Sequence, residues 1–234
     1  MLGKDHVSIS IGTVAPFLVP LIFFNSSNIL PFALAFLVAV FVGSLTPDAD
    51  CGGKAKLHYS AEIVDWLMKN IIIQVIIAFF NNPKLKEYVP YEVQEEHRGI
   101  MHSPSGILIS SFLLTLIVTI FLIVINNVNT FFILSVFFGL VIGQFLHILE
   151  DSTTHKGIKW GFPFNDDKYI IKGTIYTGDK HDGRTDIRPM IFQYILVLFS
   201  IIIVFLFIFN ILSRIPWIIF GIVYPLILIS IILF

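Results

Sequence analysis

The sequence predicts an all-α, polytopic membrane protein with about six transmembrane helices and one further interfacial or re-entrant helix. Of its 234 residues, 56% are hydrophobic and 13% are charged, whereas a soluble domain has about 25% charged residues. So few charges cannot cover the surface of a water-soluble enzyme, and the same hydrophobicity excludes a disordered chain. The net charge of -1 excludes a nucleic-acid binder that relies on bulk positive charge.

Six apolar stretches have about the length that a helix needs to cross the hydrocarbon core, which is ~20 residues. They cover residues 7–24, 29–45, 104–125, 131–149, 189–212 and 215–234, and none has a charged residue in its interior. Pro16 and Pro20 interrupt the first stretch. A membrane helix tolerates such prolines because its neighbours satisfy the freed carbonyl groups.

The stretch 61–80 differs from these six because Glu62, Asp65 and Lys69 lie on one helical face. Its strongly apolar part, residues 71–80, is too short to cross a bilayer. We therefore expect an interfacial or re-entrant helix here, and a seventh, short span is the alternative.

The distribution of charge predicts the orientation in the membrane. With six spans, every Lys and Arg except Arg214 lies on one side or in the stretch 61–80. The positive-inside rule makes that side cytoplasmic and places both termini there. We predict one multi-pass domain in the cell membrane, consisting of a core (residues 1–165), a cytoplasmic loop (166–188) and two C-terminal spans (189–234).

Histidines and aspartates occur in four places at the cytoplasmic ends of the predicted spans. They are His6, Asp48 with Asp50, His97 with His102, and His147 with Asp151. Neighbouring carboxylates beside a bilayer need a compensating positive charge. Seven nitrogen and oxygen ligands exceed what one tetrahedral zinc ion takes, so we expect two divalent ions. Imidazole with carboxylate suits zinc, and manganese or iron are alternatives.

Several other side chains near these motifs have simpler expected roles. Ser103, before Pro104, fits a helix N-cap better than a nucleophile. Glu150 projects about 100° away from the face that His147 and Asp151 share, so we expect it outside the site.

The polar stretch 151–188 is expected to be mainly a solvated connection. Its Lys172, Lys180, Arg184 and Arg188 could meet an anionic headgroup. We expect none of the three remaining histidines, His58, His155 and His181, to be a ligand.

These motifs resemble those of the YdjM-like family of LexA-regulated, membrane-bound metal-dependent hydrolases. The resemblance rests on His6, on Pro47-Asp48-x-Asp50, on His97-Arg98-Gly99-x-x-His102-Ser103 and on His147-x-x-x-Asp151-x-x-Thr154, within about residues 1–165. The family's distant grouping with zinc-dependent phospholipase C implies hydrolysis of a phosphoester. The sequence departs from the family pattern at Cys51, where some members have His, and at His155, where Pro is usual.

The favoured hypothesis is a hydrolase in which two bound ions activate a water molecule. Arg98 would stabilise developing negative charge, and Asp48 or Asp50 could act as the general base. Because the site lies at the membrane surface, we expect a phospholipid or a lipid-linked phosphate as the substrate. The alternatives are a divalent metal transporter, disfavoured because no span has an ionisable residue near its centre, and a non-catalytic protein with a structural metal.

Overall fold

The computed structural model describes residues 3–25, 29–54, 61–165, 170–175 and 186–209, and these residues are mostly helical. The helices are α1 (Gly3–Asn25), α2 (Leu30–Gly43), α3 (Glu62–Phe80), α4 (Pro104–Val124), α5 (Thr130–Ser152) and α6 (Arg188–Ile208). The polar connection after α5 contains two short antiparallel strands, β1 (Ile158–Lys159) and β2 (Ile170–Ile171).

Within the described residues, four helical segments are long and apolar enough to cross a membrane. They are Leu30–Cys51, Glu62–Phe80, Pro104–Val124 and Thr130–Ser152. Three of them coincide with predicted spans, and the fourth is the stretch for which we predicted an interfacial or re-entrant helix. The helix α1 covers the first predicted span, and α6, whose part Arg188–Ile203 is apolar, covers most of the predicted span 189–212. The last predicted span, 215–234, lies outside the described residues, so the count of six is not confirmed.

The helix α3 is continuous because a π-helical turn, Met68–Ile72, joins its two α-helical parts. This turn contacts the helical segment Pro47–Lys54, and the C-terminal part of α3 contacts Ile100–His102. The π-helical turn and the C-terminal part of α3 also contact α4, and the length and composition of α3 would allow it to cross a membrane. The interfacial or re-entrant helix and the alternative of a seventh span therefore both stay predictions.

The helices α2 and α5 pack with their backbones in close approach. A Cβ atom added to Gly143 would lie 2.4 Å from the carbonyl oxygen of Val40, and one added to Gly139 would lie 2.6 Å from that of Phe36. Small residues allow such approach in membrane bundles. As a result, the carbonyl oxygen of Ser44, just after α2, lies 2.7 Å from Nδ1 of His147 in α5.

A buried polar network joins α4 to α5. The hydroxyl of Ser110 donates to Oε1 of Gln144 at 2.7 Å, and Nε2 of Gln144 donates to the hydroxyl of Ser111 at 3.0 Å. Interhelical hydrogen bonds of this kind stabilise helix pairs in lipid. The helix α1 packs against α6, where Nε2 of Gln193 donates to Oδ1 of Asp5 at 3.0 Å.

Replacing Gly143 with Ala should push α2 and α5 apart, because the new Cβ has no room beside Val40. Overpacking costs about 1–3 kcal/mol, so we expect a lower midpoint of thermal unfolding in detergent. Gly12→Ala is the matched control, since its Cβ would lie 3.3 Å from the Cβ of Leu196, a contact that a shift of a few tenths of an ångström relieves. Equal midpoints for the two variants would contradict the close approach of α2 and α5.

Candidate metal centre

The four predicted motifs meet at one end of the bundle. His6 lies in the first turns of α1, and the segment Pro47–Lys54 carries the two aspartates directly after α2. His102 lies just before α4, and the last turns of α5 carry His147 and Asp151. The hydroxyl of Ser103 accepts a hydrogen bond from the backbone N–H of Gly106 at 3.1 Å, which confirms its role as the N-cap of α4.

Three fully buried histidines share one hydrogen-bonding pattern. Nδ1 of His6 lies 2.7 Å from Oε2 of Glu150, and Nδ1 of His102 lies 3.2 Å from Oδ2 of Asp50. Nδ1 of His147 lies 2.7 Å from the carbonyl oxygen of Ser44. These oxygens accept, so each Nδ1 donates a proton, and when the ring is neutral its lone pair is on Nε2. Histidines that bind a metal are typically held in this way.

The three Nε2 atoms point towards the carboxylates of Asp48 and Asp151. Nε2 of His147 lies 3.5 Å from Oδ1 of Asp48, and Nε2 of His102 lies 3.7 Å from the same oxygen. Nε2 of His6 lies 3.4 Å from Oδ1 of Asp151. All three Nε2 atoms are buried and have no hydrogen-bond partner. Because an orphaned buried polar atom is costly, a metal ion fits this set of donors.

The charge around His102 also favours a cation. Burial lowers the pKa of His102, but the carboxylates of Asp50 and Asp48 outweigh this effect and raise the pKa to about 10. The environment therefore favours positive charge at a ring that is fully buried. A divalent ion in front of Nε2 would supply that charge.

Asp50 holds the neighbouring groups in position. Its Oδ2 accepts from Nδ1 of His102 and, at 3.2 Å, from the backbone N–H of Arg98. Its Oδ1 lies 3.1 Å from Nδ1 of His97. These contacts indicate that Asp50 orients two histidines, while its predicted roles as ligand and general base stay predictions.

The guanidinium of Arg98 contacts the segment that follows α5. Nη1 donates to the hydroxyl of Thr154 at 2.9 Å and to the carbonyl oxygen of Gly157 at 3.2 Å. Nη2 lies 3.1 Å from Oδ2 of Asp151, and the buried Nε has no hydrogen-bond partner. Arg98 therefore orients Asp151, and its predicted role in stabilising substrate charge stays a prediction.

The prediction that Glu150 lies outside the site is wrong. Glu150 is buried, and besides its contact with His6 it accepts a hydrogen bond from the hydroxyl of Ser10 at 3.3 Å. The ring of His6 stacks on that of His147, with centroids 3.8 Å apart. This stacking places α1 against the face of α5 from which Glu150 projects. The helical periodicity of α5 alone cannot predict this contact, because it depends on the packing of another helix.

The structure brings Cys51 into the cluster, which the sequence reasoning missed. Its Sγ lies 2.8 Å from Nδ1 and 3.7 Å from Nε2 of His97. Its position in the sequence, directly after Asp50, could have indicated that Cys51 lies near the cluster.

The other side chains considered in the sequence analysis lie away from the cluster or outside the described residues. His155 is exposed, and Arg188 contacts Asp186 and Thr174. Four of them lie outside the described residues: His58, Lys180, His181 and Arg184.

A cavity of about 340 Å³ adjoins the cluster. His97 and Arg98 line it on one side, and Lys156, Lys159 and Phe162 line it on the other. A substrate in this cavity would thus meet both the exposed edge of the cluster and two basic side chains.

Apolar helices long enough to cross a bilayer, with a buried His and Asp cluster at one end, define an integral membrane protein with a candidate metal centre. The sequence profile of the YdjM inner membrane protein family matches residues 1–212. The chain therefore belongs to this family, as its motifs predicted, and the match extends beyond the expected 1–165. No curated protein and no solved structure matches the chain.

Replacing His147 with Ala should lower the content of bound metal, because Nε2 of His147 faces both Asp48 and Asp151. Elemental analysis after dialysis should find fewer divalent ions per chain in this variant than in the wild-type protein. His155→Ala is the matched control and should keep the ion, since His155 is exposed. If His147→Ala retained as much metal as the wild type, the cluster would not be a metal centre.

Replacing Glu150 with Ala should weaken metal binding without abolishing it, because Glu150 contacts Nδ1 of His6 and not its Nε2. Loss of such an outer partner lowers metal affinity about 10–100-fold. Glu150→Gln keeps an acceptor oxygen and should retain most of the affinity. Competition with a chelator measures all three proteins, and an unchanged affinity in Glu150→Ala would speak against this role.

Proposed function

We propose that this protein is a membrane-embedded, metal-dependent hydrolase that cleaves a phosphate ester of a lipid or lipid-linked substrate. The observation that carries the proposal is the convergence of three buried, unpartnered Nε2 atoms on the carboxylates of Asp48 and Asp151. A binding site for divalent metal beside an open cavity is what such hydrolysis requires.

Two ion positions account for the ligand groups better than one. The sets His6–His147–Asp151 and Asp48–His102–His147 both use His147, whose Nε2 has a single lone pair, so they describe one inner position. The sets Asp48–Cys51–His97 and Asp50–His97–His102 both use His97, which lies at the exposed edge, so they describe a second, outer position. Asp48 has two oxygens and can serve both. The proposed ions are zinc, with manganese or iron as alternatives.

Bound ions would lower the pKa of a water molecule and polarise a phosphoryl oxygen. The chain's own groups then have separate tasks. Asp48 or Asp50 is the proposed general base, and Arg98 is the proposed group that stabilises charge on the substrate. For Arg98, that task requires the guanidinium to reach the substrate while it still contacts Asp151.

The surroundings of the cavity support an amphipathic, anionic substrate. Arg98, Lys156 and Lys159 line the cavity together with Glu92 and Glu96, so basic side chains outnumber acidic ones by three to two and can attract a phosphate. The nearby aromatic rings are membrane-interface residue types: Trp160 packs edge-on against Phe145 of α5, and Phe164 packs against Phe80 of α3. An acyl or polyprenyl chain could stay in the bilayer while its headgroup reaches the cluster.

Purified protein loaded with zinc or manganese should hydrolyse one member of a panel of phospholipids and polyprenyl phosphates. Asp48→Asn should lower turnover by more than the roughly 100-fold that loss of an outer partner causes, because Asp48 faces two orphaned nitrogens. His155→Ala should keep full turnover. Release of phosphate or headgroup measures the reaction.

The panel also includes a soluble phosphoester, whose exclusive hydrolysis would overturn the lipid assignment. Wild-type protein that binds metal but hydrolyses nothing, while proteoliposomes take up the ion, would overturn the enzyme in favour of a transporter. Bound metal with neither activity would indicate a structural site.

A further inference from the structure

We propose that the cavity beside the cluster binds a lipid headgroup that carries a primary ammonium as well as the phosphate, as in an ethanolamine phospholipid. Glu92 and Glu96, which line the cavity, are the groups that bind the ammonium. The inference rests on the proposed function and adds to it a class of headgroup. The phosphate stays the anionic part of the substrate.

The charged side chains of the cavity are divided between two segments of the chain. Glu92 and Glu96 belong to the lining residues 91–99, which precede α4. Lys156 and Lys159 belong to the lining residues 156–162, which follow α5. Both acidic side chains therefore come from one segment and both lysines from the other.

The guanidinium of Arg98 belongs with the lysines, although Arg98 lies in the first segment. Its Nη1 donates to the hydroxyl of Thr154 at 2.9 Å and to the carbonyl oxygen of Gly157, the residue after Lys156, at 3.2 Å. The three basic side chains are therefore gathered on one side of the cavity. That side adjoins the cluster, because Nη2 of Arg98 lies 3.1 Å from Oδ2 of Asp151. A phosphate bound there lies next to the candidate metal ligands.

The acidic and the basic groups stay separate from one another. Of the residues that the structure describes, none forms an ion pair with Glu92 or Glu96. Opposite charges that line one cavity without pairing are complementary to a ligand that carries both signs. A headgroup with a phosphate and an ammonium is such a ligand, whereas a phosphate alone leaves the glutamates without a counter-charge.

The size of the cavity and the chemistry of its acids narrow the choice of headgroup. Its volume of about 340 Å³ is near the lower end of the range for ligand pockets, which is roughly 300–1,000 Å³. That volume favours a small headgroup over a sugar chain. Carboxylates accept N–H hydrogen bonds, so they favour a primary ammonium over a quaternary one, which has no N–H to donate.

Two phosphonates test the headgroup directly, because their carbon–phosphorus bond is not cleaved by ester hydrolysis. 2-Aminoethylphosphonate carries the ammonium, and propylphosphonate has a methyl group in its place. The full-length protein, purified in detergent, should bind the first about 5-fold more tightly, which is the effect of one favourable exposed charge pair. Isothermal titration calorimetry measures both affinities.

Three variants assign the two ends of the headgroup. Glu92→Gln combined with Glu96→Gln should lower the affinity for 2-aminoethylphosphonate about 5-fold, to that for propylphosphonate. Glu95→Gln is the matched control and should keep the preference, because Glu95 lies outside the cavity lining and accepts from Nε2 of Gln74 at 3.2 Å. Lys156→Gln should weaken the binding of both ligands alike, since they share the phosphonate.

Hydrolysis gives a second measurement of the same preference. Ethanolamine and glycerol phospholipids with identical acyl chains are compared in detergent micelles. The value of kcat/KM should be about 5-fold higher for the ethanolamine lipid. This difference should disappear in the double glutamine variant and persist in Glu95→Gln.

The outcomes distinguish this proposal from the one on which it rests. If neither phosphonate binds, if both bind equally, or if the double variant keeps the preference, the glutamates do not bind an ammonium, and the hydrolase stands on its own tests. Tighter binding of a trimethylammonium analogue would overturn the primary ammonium. A protein that prefers 2-aminoethylphosphonate through the two glutamates but hydrolyses no lipid would keep the headgroup site and overturn the hydrolase.

Discussion

The close approach of α2 and α5 is the constraint on which the site depends. Glycines at the contact bring the two backbones together, and the carbonyl oxygen of Ser44 then reaches Nδ1 of His147. That hydrogen bond fixes which nitrogen of His147 keeps its lone pair, and the same approach sets Asp48 3.5 Å from that nitrogen. A larger residue at Gly143 would change the distance between two ligands on different helices, although it touches neither.

The cluster also carries an electrostatic cost that its geometry offsets. Asp151 is nearly fully buried, and several imidazoles beside it are fully buried. Buried charges are stable only where opposite charge and hydrogen bonds compensate them. Here each carboxylate faces histidines or the guanidinium of Arg98. The unpartnered atoms of the cluster are the Nε2 atoms of three histidines, which have a lone pair, and the Nε of Arg98. A cation bound beside the histidine nitrogens would balance the remaining negative charge of the carboxylates.

The sequence predicts helices such as α4 and α5 well because apolar length and caps are local properties. It also predicts the common depth of the His and Asp residues, since all follow or precede apolar stretches. It does not predict that Glu150 joins the site, because the partner of Glu150 is His6 of α1. The packing of α1 against α5 cannot be read from a local sequence pattern. For the same reason, spacing alone cannot tell that Asp50 orients histidines, or that α3 stays beside the 47–54 and 100–102 segments. The pairing of β1 with β2 depends on contacts across a polar connection.

Arg98 links the turn before α4 to the polar connection that follows α5. Of the candidate inner ligands, His6 lies in α1, His147 and Asp151 lie in α5, and Asp48 lies just after α2. The packing of these three helices holds them in place. The turn that carries His97 and His102 is joined through Arg98 to Thr154 and Gly157, at the start of the polar connection. Thr154 in turn bridges to Ile175 at the far end of the described β1–β2 region. If the cluster holds ions as proposed, a ligand that repositions this connection would change how strongly they bind, and by thermodynamic reciprocity the ions would change the affinity for that ligand.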